Sequence, residues 1–239
     1  DFLVRYRDSE LHLPQPCFDM WEERQGVFTF TCATVWAGLN AAAELANLFN
    51  DQQRRNTYSA AASELRQAMK KHLWLEDEGR FARGVLIDGT LDKTVDASAF
   101  GVFYFGVFPA ESAMVAGTMK AIRERLWVGT DTGGIARYEN DPYHRISARD
   151  DDRVPGNPWI ICTLWLAEHT VATASTAGEL QSALDLVRWA RSKATASLVL
   201  PEQIDPYDGQ PLSVAPLTWS HAQVISVVLR YLEQSRTLR

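Results

Sequence analysis

Apolar residues recur along most of this chain at the three-to-four-residue spacing of helices, and successive segments differ in how far round the helix the apolar face extends. From Val27 to Phe49 the only charge is Glu44, which predicts a helix buried nearly all round. Asp51 to Leu73 carries its charges on one face and Tyr58, Ala61, Leu65, Ala68 and Met69 on another, the pattern of an amphipathic surface helix. Residues 79–91 read as a short extended stretch turning at Asp88-Gly89. Asp96 is placed to cap a second apolar helix running through Phe108. Pro109 then opens an amphipathic helix over Ala110 to Trp127, proline being favoured in a first turn. The polar segment Val128 to Pro158, rich in Gly, Asp and Arg, reads as a functional loop, because structureless connections of that length are uncommon. Trp159 to Thr170 is a third apolar helix and Ser175 to Ala194 its amphipathic partner. After a loop from Leu198 to Pro216, a fourth apolar helix covers about Leu217 to Leu232.

Seven helices that alternate between buried and surface character predict an all-α fold with an inner and an outer layer. No repeat of fixed period appears, which sets aside a solenoid of near-identical units. The Trp21-Glu22 segment, the loop from Arg137-Tyr138 to Trp159, and the loop from Glu202 to Trp219 each precede an inner helix. In a ring of alternating helices those entrances share one end, so their residues are expected to meet near helix N-termini, which favour negative charge.

Composition narrows the functions this frame could serve. At 239 residues the chain can form one large domain or two small ones. A net charge of −6 with no basic stripe excludes a general nucleic-acid binder. Cys17, Cys32 and Cys162 are odd in number and lack metal-ligand spacing, so they read as free thiols and favour the cytoplasm. No apolar run reaches membrane-spanning length. The first residues, Asp1 to Arg7, do not form a signal peptide and lack an initiator Met, so the chain is expected to begin partway through a longer parent. His12, His72, His144, His169 and His221 share no metal spacing, and Asp150-Asp151-Asp152 reads as solvated acids rather than a cation site. Gly129 to Gly134 lacks the lysine of a phosphate loop. Neither a metal nor a cofactor is expected.

Two distant segments place glutamate close to tryptophan. The first is Asp19-Met20-Trp21-Glu22-Glu23-Arg24; the second runs from Leu200-Pro201-Glu202-Gln203 through Leu212-Ser213 to Leu217-Thr218-Trp219-Ser220. Cleaving a glycosidic bond takes two carboxyl groups, one protonated to assist the leaving oxygen and one ionised. Aromatic rings cover the apolar C–H faces of a sugar while polar groups hold its hydroxyls. Glu22 and Glu202 are the candidate pair, with Glu23 and Asp19 close enough to compete for the first role. An acidic pair at a helix entry is also stabilised by the helix dipole alone, and the second motif is what favours catalysis. Residue type does not decide which carboxyl is acid and which base.

The segment from Leu13 to Arg24, with Phe28-Thr29-Phe30-Thr31, resembles the acid-bearing segment of the glucoamylase family, glycoside hydrolase family 15. Pro201-Glu202-Gln203-Ile204-Asp205 through Gly209, Pro211-Leu212-Ser213 and Leu217-Thr218-Trp219-Ser220 resembles its base-bearing segment. Gly134-Ile135-Ala136-Arg137-Tyr138 and Gly156-Asn157-Pro158-Trp159 look like its substrate-binding loop. The resemblance implies an (α/α)6 barrel, with residues 1–239 forming the C-terminal half to two-thirds of a single catalytic domain. It also implies an inverting, exo-acting hydrolase that releases β-glucose from an α-glucoside, whether a starch-type glucan, trehalose or an α-1,6-glucan. Glu22 would be the general acid and Glu202 the general base, with Ser213 hydrogen-bonded to the base carboxylate. Glu23 and Arg137 would bind sugar hydroxyls, and Trp21 and Trp219 would wall the pocket. Trp159 is either a substrate contact or a packing residue, and Arg137 is either a sugar ligand or a surface ion-pair partner.

Phe18 and Met20 depart from the family pattern beside the acid. Seven helices also fall short of twelve, and no counterpart appears for the Arg-Asp pair that grips the terminal glucose in the family. An incomplete, catalytically silent part that binds glucan or needs a separate N-terminal half is therefore the alternative. A helical barrel of unrelated chemistry, such as a cyclase, would need an aspartate-rich metal motif on an inner helix, which the sequence lacks.

Overall fold

In a computed structural model, which describes residues 1–146 and 152–238, helices occupy the long periodic segments and short strand pairs fill the connections. The chain divides into two units, Asp1–Thr94 with Gly101–Thr118 and Val95–Phe100 with Met119–Arg239.

The first unit opens with α1 (Phe2–Arg5), a single turn that the apolar spacing did not signal, followed by β1 (Cys17–Phe18) and β2 (Gln25–Phe28). Helix α2 (Thr29–Leu48) starts two residues later than the apolar run, because Val27 and Phe28 are used in β2. Thr29 fixes that start: its N–H donates to Arg83 O (2.9 Å) and its hydroxyl to Ala82 O (2.7 Å). Helix α3 (Gln52–His72) packs along α2 and is capped by Asp51, whose side chain accepts from Arg54 N. Its apolar stripe of Tyr58, Ala61, Leu65, Ala68 and Met69 is buried as the pattern predicted. α2 is not buried all round, however. Leu45, Leu48 and Phe49 at its C-terminal end are exposed.

β3 (Trp74–Leu75) pairs with β4 (Arg80–Phe81), and β5 (Gly84–Leu86) with β6 (Leu91–Asp92) across the turn expected at Asp88-Gly89. Gly89 there has φ 85° and Asp88 Oδ1 accepts from Thr90 N, which suits glycine's freedom in the left-handed region. β2 pairs with β5, so one sheet runs β1-β2-β5-β6. The single helix expected from Asp96 to Phe108 is instead a 3-10 turn (Ala97–Phe100) and one α-helical turn, α4 (Gly101–Tyr104). It stops at Gly106, whose φ of 79° ends a right-handed helix. α5 (Ala113–Leu126) begins later than Ala110 because Pro109 heads a turn in which its carbonyl accepts from Ser112 N.

In the second unit the polar segment 128–158 is not wholly irregular. It supplies β7 (Ile135–Ala136) and the first residue of β8 (Pro158–Trp159). α6 (Ile160–Thr173) is buried at every position from Ile160 to Glu168, matching its unbroken apolar run. α7 (Ala177–Ser192) opens with a capping box between Thr176 and Glu179 and packs Leu180, Ala183 and Ala190 against α6. β9 (Gln203–Ile204) and β10 (Pro211–Leu212) complete a second sheet, ordered β10-β9-β8-β7. α8 (Thr218–Thr237) runs five residues beyond the predicted end, and its buried positions are Ser220, Gln223 and Val227. Ile225, Leu229 and Leu232 are exposed, so the buried fourth helix is corrected to one with an open apolar side. Asp150 and Asp151 lie outside the described residues. Among the described residues no helix is long and apolar enough to cross a membrane, and no cluster of His, Cys, Asp or Glu is arranged to hold a metal ion.

Candidate active site

The first motif is the loop between β1 and β2, whose register, Phe18 opposite Gln25, leaves residues 19–24 to make the turn. Asp19 is its centre. Asp19 N donates to Arg24 O (2.8 Å) and Asp19 O accepts from Glu22 N (3.1 Å). Its Oδ1 accepts from Glu23 N (2.9 Å) and Arg24 N (3.4 Å), and its Oδ2 from Arg83 Nη2 (2.7 Å). Asp19 is buried and its carboxylate is occupied, which removes it as a competitor for the first catalytic role. Glu22 and Glu23 both reach solvent, and Trp21 is half-buried beside them. Glu22 has φ 60°, a conformation a non-glycine residue adopts only when its surroundings impose it. Among the described residues its carboxylate makes no hydrogen bond or ion pair.

The second motif is built on the sheet of the second unit. Glu202 N donates to Val214 O (3.0 Å), and Ile160 N, at the start of α6, donates to Glu202 O (3.2 Å). The half-buried Glu202 side chain accepts at Oε2 from Gln203 Nε2 (3.0 Å). Gln203 is fully buried, and its Oε1 accepts from Asn157 Nδ2 (2.9 Å), which also donates to His144 O (2.9 Å). A buried amide relay thus holds the Glu202 carboxylate from behind. Ser213 falls opposite Glu202 when the β9–β10 register is continued by one place, with φ 62° and an exposed side chain. Among the described residues it makes no hydrogen bond to Glu202, whose carboxylate is bonded by Gln203.

Arg137 is not a surface ion-pair partner. It is 3% exposed and grips the fully buried Asp141 with two bonds, Nε to Oδ2 and Nη2 to Oδ1, both 2.8 Å. Its guanidinium lies 4.6 Å from the Tyr143 ring centre, 5.0 Å from Trp159 and 5.1 Å from Tyr138. Trp159 is therefore a wall of an aromatic cage around Arg137, and it is buried. Arg137 follows β7, Trp159 lies in β8 and Glu202 precedes β9, so consecutive strands bring these three together. Nearby Cys162 is no nucleophile, since burial pushes its thiol well above the ordinary value. Trp219 is 41% exposed and tilts against Trp165, which stacks on Phe100 at 4.0 Å, making a row of aromatic rings that ends in solvent. Trp21, Glu22 and Glu23 share one loop of the first unit, and Arg137, Trp159, Glu202, Ser213 and Trp219 belong to the second.

Asp141, Asn157 and Gln203 in the second unit, and Arg83 in the first, are the site-supporting residues that the sequence reading missed. Gln203 beside Glu202 and Asp141 four residues after Arg137 are the only local hints. The bonds of Arg83 and Asn157 span 64 and 46 positions, which no periodicity reveals.

Residues 10–193 match the family model Glycosyl hydrolases family 15. An uncharacterized glycosyl hydrolase of Methanocaldococcus jannaschii is 33% identical over 89% of this chain and 34% of its own length. A trehalase of Mycobacterium tuberculosis is 28% identical over 91% of this chain and 30% of its own. The chain thus spans about a third of the length of these curated relatives. A bacterial glucoamylase solved in complex with acarbose superposes with a TM-score of 0.76 and 22% identity, over 90% of this chain and 35% of that one. That likeness shows the fold class, the all-α (α/α)6 barrel, of which this chain spans a part.

Proposed function

The chain belongs to glycosyl hydrolases family 15, and on that premise we propose that it carries the catalytic carboxylates of an inverting, exo-acting α-glucoside hydrolase. In this reading Glu22 is the general acid and gives its proton to the departing glycosidic oxygen. Glu202 is the general base and takes a proton from water as that water attacks the anomeric carbon from the opposite face, so an α-linked sugar leaves as β-glucose. The observation that carries the reading is the treatment of Glu202: its carboxylate is half-exposed, yet fixed by an amide that is itself fully buried and bonded. A merely solvated surface glutamate needs no such support. Trp21, Glu23, Arg137, Trp159 and Trp219 are assigned to sugar binding, and Ser213 to hydrogen-bonding Glu202 once substrate and water are present. The substrate is an α-linked glucoside of the maltooligosaccharide, isomaltose or trehalose type, a range supported by similarity to proteins named glucoamylase, isomaltose glucohydrolase and trehalase.

Glu22→Gln and Glu202→Gln are each expected to lower turnover by about a hundredfold or more, the usual loss with a general acid or base. Early proton NMR spectra of products from maltotriose, isomaltose and trehalose should show the β-anomer of glucose before mutarotation. Near-normal activity in either purified variant, or α-glucose appearing first, would overturn the assignment.

A second reading rests on a different observation. The apolar side of α8 is exposed at Ile225, Leu229 and Leu232, as is the end of α2 at Leu45 and Leu48. We propose, as the alternative, that the chain is silent alone and works with a further part of a longer catalytic domain. Turnover of any α-glucoside by the purified chain as a stable monomer would eliminate this alternative.

A further inference from the structure

Glu22 combines two properties that call for an explanation. Its side chain is held by nothing among the described residues, and its backbone lies in the left-handed region at φ 60°. For an L-residue that conformation costs about 1–2 kcal/mol. The point and angle at which the side chain leaves the loop are therefore set by the loop backbone alone. That backbone is wound round Asp19, which takes N–H bonds from Glu22, Glu23 and Arg24 and gives one to Arg24 O.

Asp19 is fixed in turn by one buried cation. The Arg83 side chain is 1% exposed and donates to Asp19 Oδ2 at 2.7 Å. Arg83 sits just before β5, where its N–H donates to Asp92 O and its carbonyl accepts from Thr29 N, so its main chain is tied to both β6 and the first residue of α2. Asp92 closes the network, with Oδ2 at 3.3 Å from Arg24 Nη1 and 4.0 Å from Arg83 Nε. Arg83, Asp19, Arg24 and Asp92 thus alternate in charge around the base of the loop. A buried ion pair is a poor device for raising stability, because desolvation offsets much of the attraction, but it holds geometry well.

We infer that Arg83 is a positioning residue for Glu22, acting through Asp19 to hold the loop backbone from which the carboxyl reaches out. This rests on Glu22 being the general acid. Arg83 touches neither the bond that breaks nor the attacking water; it determines where the proton is delivered. Misplacing a catalytic group by about 1 Å can cost on the order of a hundredfold in rate.

The chemistry of the leaving group separates this role from a structural one. A sugar alkoxide needs a proton from the acid as its C–O bond breaks. In α-glucosyl fluoride the C–F bond breaks and fluoride departs with its electron pair, while water, deprotonated by the base, forms the new C–O bond. Losing the acid, or misplacing it, should therefore slow disaccharide hydrolysis far more than fluoride release. The experiment measures kcat and KM of the full chain and its variants on α-glucosyl fluoride and on whichever of maltose, isomaltose and trehalose the wild type hydrolyses. Glu22→Gln should lose disaccharide turnover selectively. Asp19→Asn, which keeps the shape of the loop anchor but not its charge, should lower disaccharide kcat by roughly tenfold or more with KM little changed, and fluoride hydrolysis much less. Arg83→Lys should fall between Asp19→Asn and wild type. Arg83→Met strands the Asp19 charge and endangers folding, so the conclusion is drawn from the two gentler variants. If Glu22→Gln shows the selective loss but Asp19→Asn and Arg83→Lys keep the wild-type ratio, or lose both substrates equally, the positioning role is refuted while the acid assignment stands. If Glu22→Gln hydrolyses the disaccharide normally, the acid assignment falls and the inference with it.

Discussion

A single methyl group is enough to disturb the approach to Arg137. Gly134 has φ 94°, and a Cβ there would lie 2.4 Å from the Trp189 ring and 2.8 Å from Pro158 Cβ. Neither neighbour can give way easily. Trp189 is pinned by a 2.7 Å bond from Nε1 to Thr132 O, and Pro158 is in the sheet that carries Trp159. Gly89 has a similar φ of 85° but nothing within 4 Å of its missing Cβ. Gly89→Ala should therefore cost about 1 kcal/mol, from backbone strain alone. Gly134→Ala adds overpacking and should cost roughly 2–4 kcal/mol. For a chain of this size, thermal melts should separate the two variants by about 3 °C or more. Equal melting temperatures would mean that the sheet yields at Gly134, and the precise placing of Arg137 behind it would then be in doubt. Residues of one chemical type are likewise sorted by surroundings: Asp19 and Glu22 are three positions apart, yet the Asp19 carboxylate accepts from Glu23 N, Arg24 N and Arg83 Nη2 while Glu22 is exposed to water.

Between elements, the most consequential polar contact of the second unit joins α6 to α8. Glu168, fully buried on α6, accepts from Gln223 Nε2 at 2.8 Å, and its Oε2 lies 3.2 Å from Arg230 Nε. Burial raises its pKa above the ordinary 4.5, outweighing the opposite pulls of Arg230 and Gln223. The folded chain therefore holds this proton to higher pH than the unfolded chain does. The stability that follows is fully present below about pH 4.5 and is lost as pH rises through the folded value. Glu168→Gln keeps an acceptor for Gln223 but cannot ionise. Urea unfolding from pH 4 to 8 should show the variant gaining on wild type as pH rises; a variant that loses ground with rising pH would show that the ion pair with Arg230 dominates instead. The existence of α2, α3, α6 and α7 was legible because each buries a stripe or a full turn of apolar residues, which leaves a period in the sequence. The 3-10 turn, α4 and the two-residue strands were not legible, since they are fixed by Gly106, Pro109 and pairings between distant segments. The candidate site divides in the same way. Glu22, Glu202 and the tryptophans stood out by residue type, whereas Arg83 and Asn157 act through bonds to residues 64 and 46 positions away, which the linear order does not mark as neighbours.

For the molecule as a whole, the unanswered demand is on its apolar surface. Ile225, Val228, Leu229 and Leu232 follow one another at the spacing of a single helix stripe, and all are exposed, Ile225 by 61% and Leu229 by 56%. In the first unit Leu45, Leu48 and Phe49 make a similar patch beside a groove of about 300 Å³. Soluble monomers rarely leave contiguous apolar stripes open to water, and the curated relatives are about three times as long as this chain. These surfaces are therefore expected to be sticky in the isolated chain. It should bind an apolar dye such as anilinonaphthalene sulfonate and associate as its concentration rises, seen in sedimentation velocity. Ile225→Gln combined with Leu229→Gln should weaken both signals and leave the melting temperature nearly unchanged, because these side chains stand mostly outside the core. A chain that stays monomeric and dark to the dye into the high micromolar range would show that the stripe is tolerated as it stands. The case for an obligatory further part would then rest on activity alone, and the double substitution would be expected to change nothing.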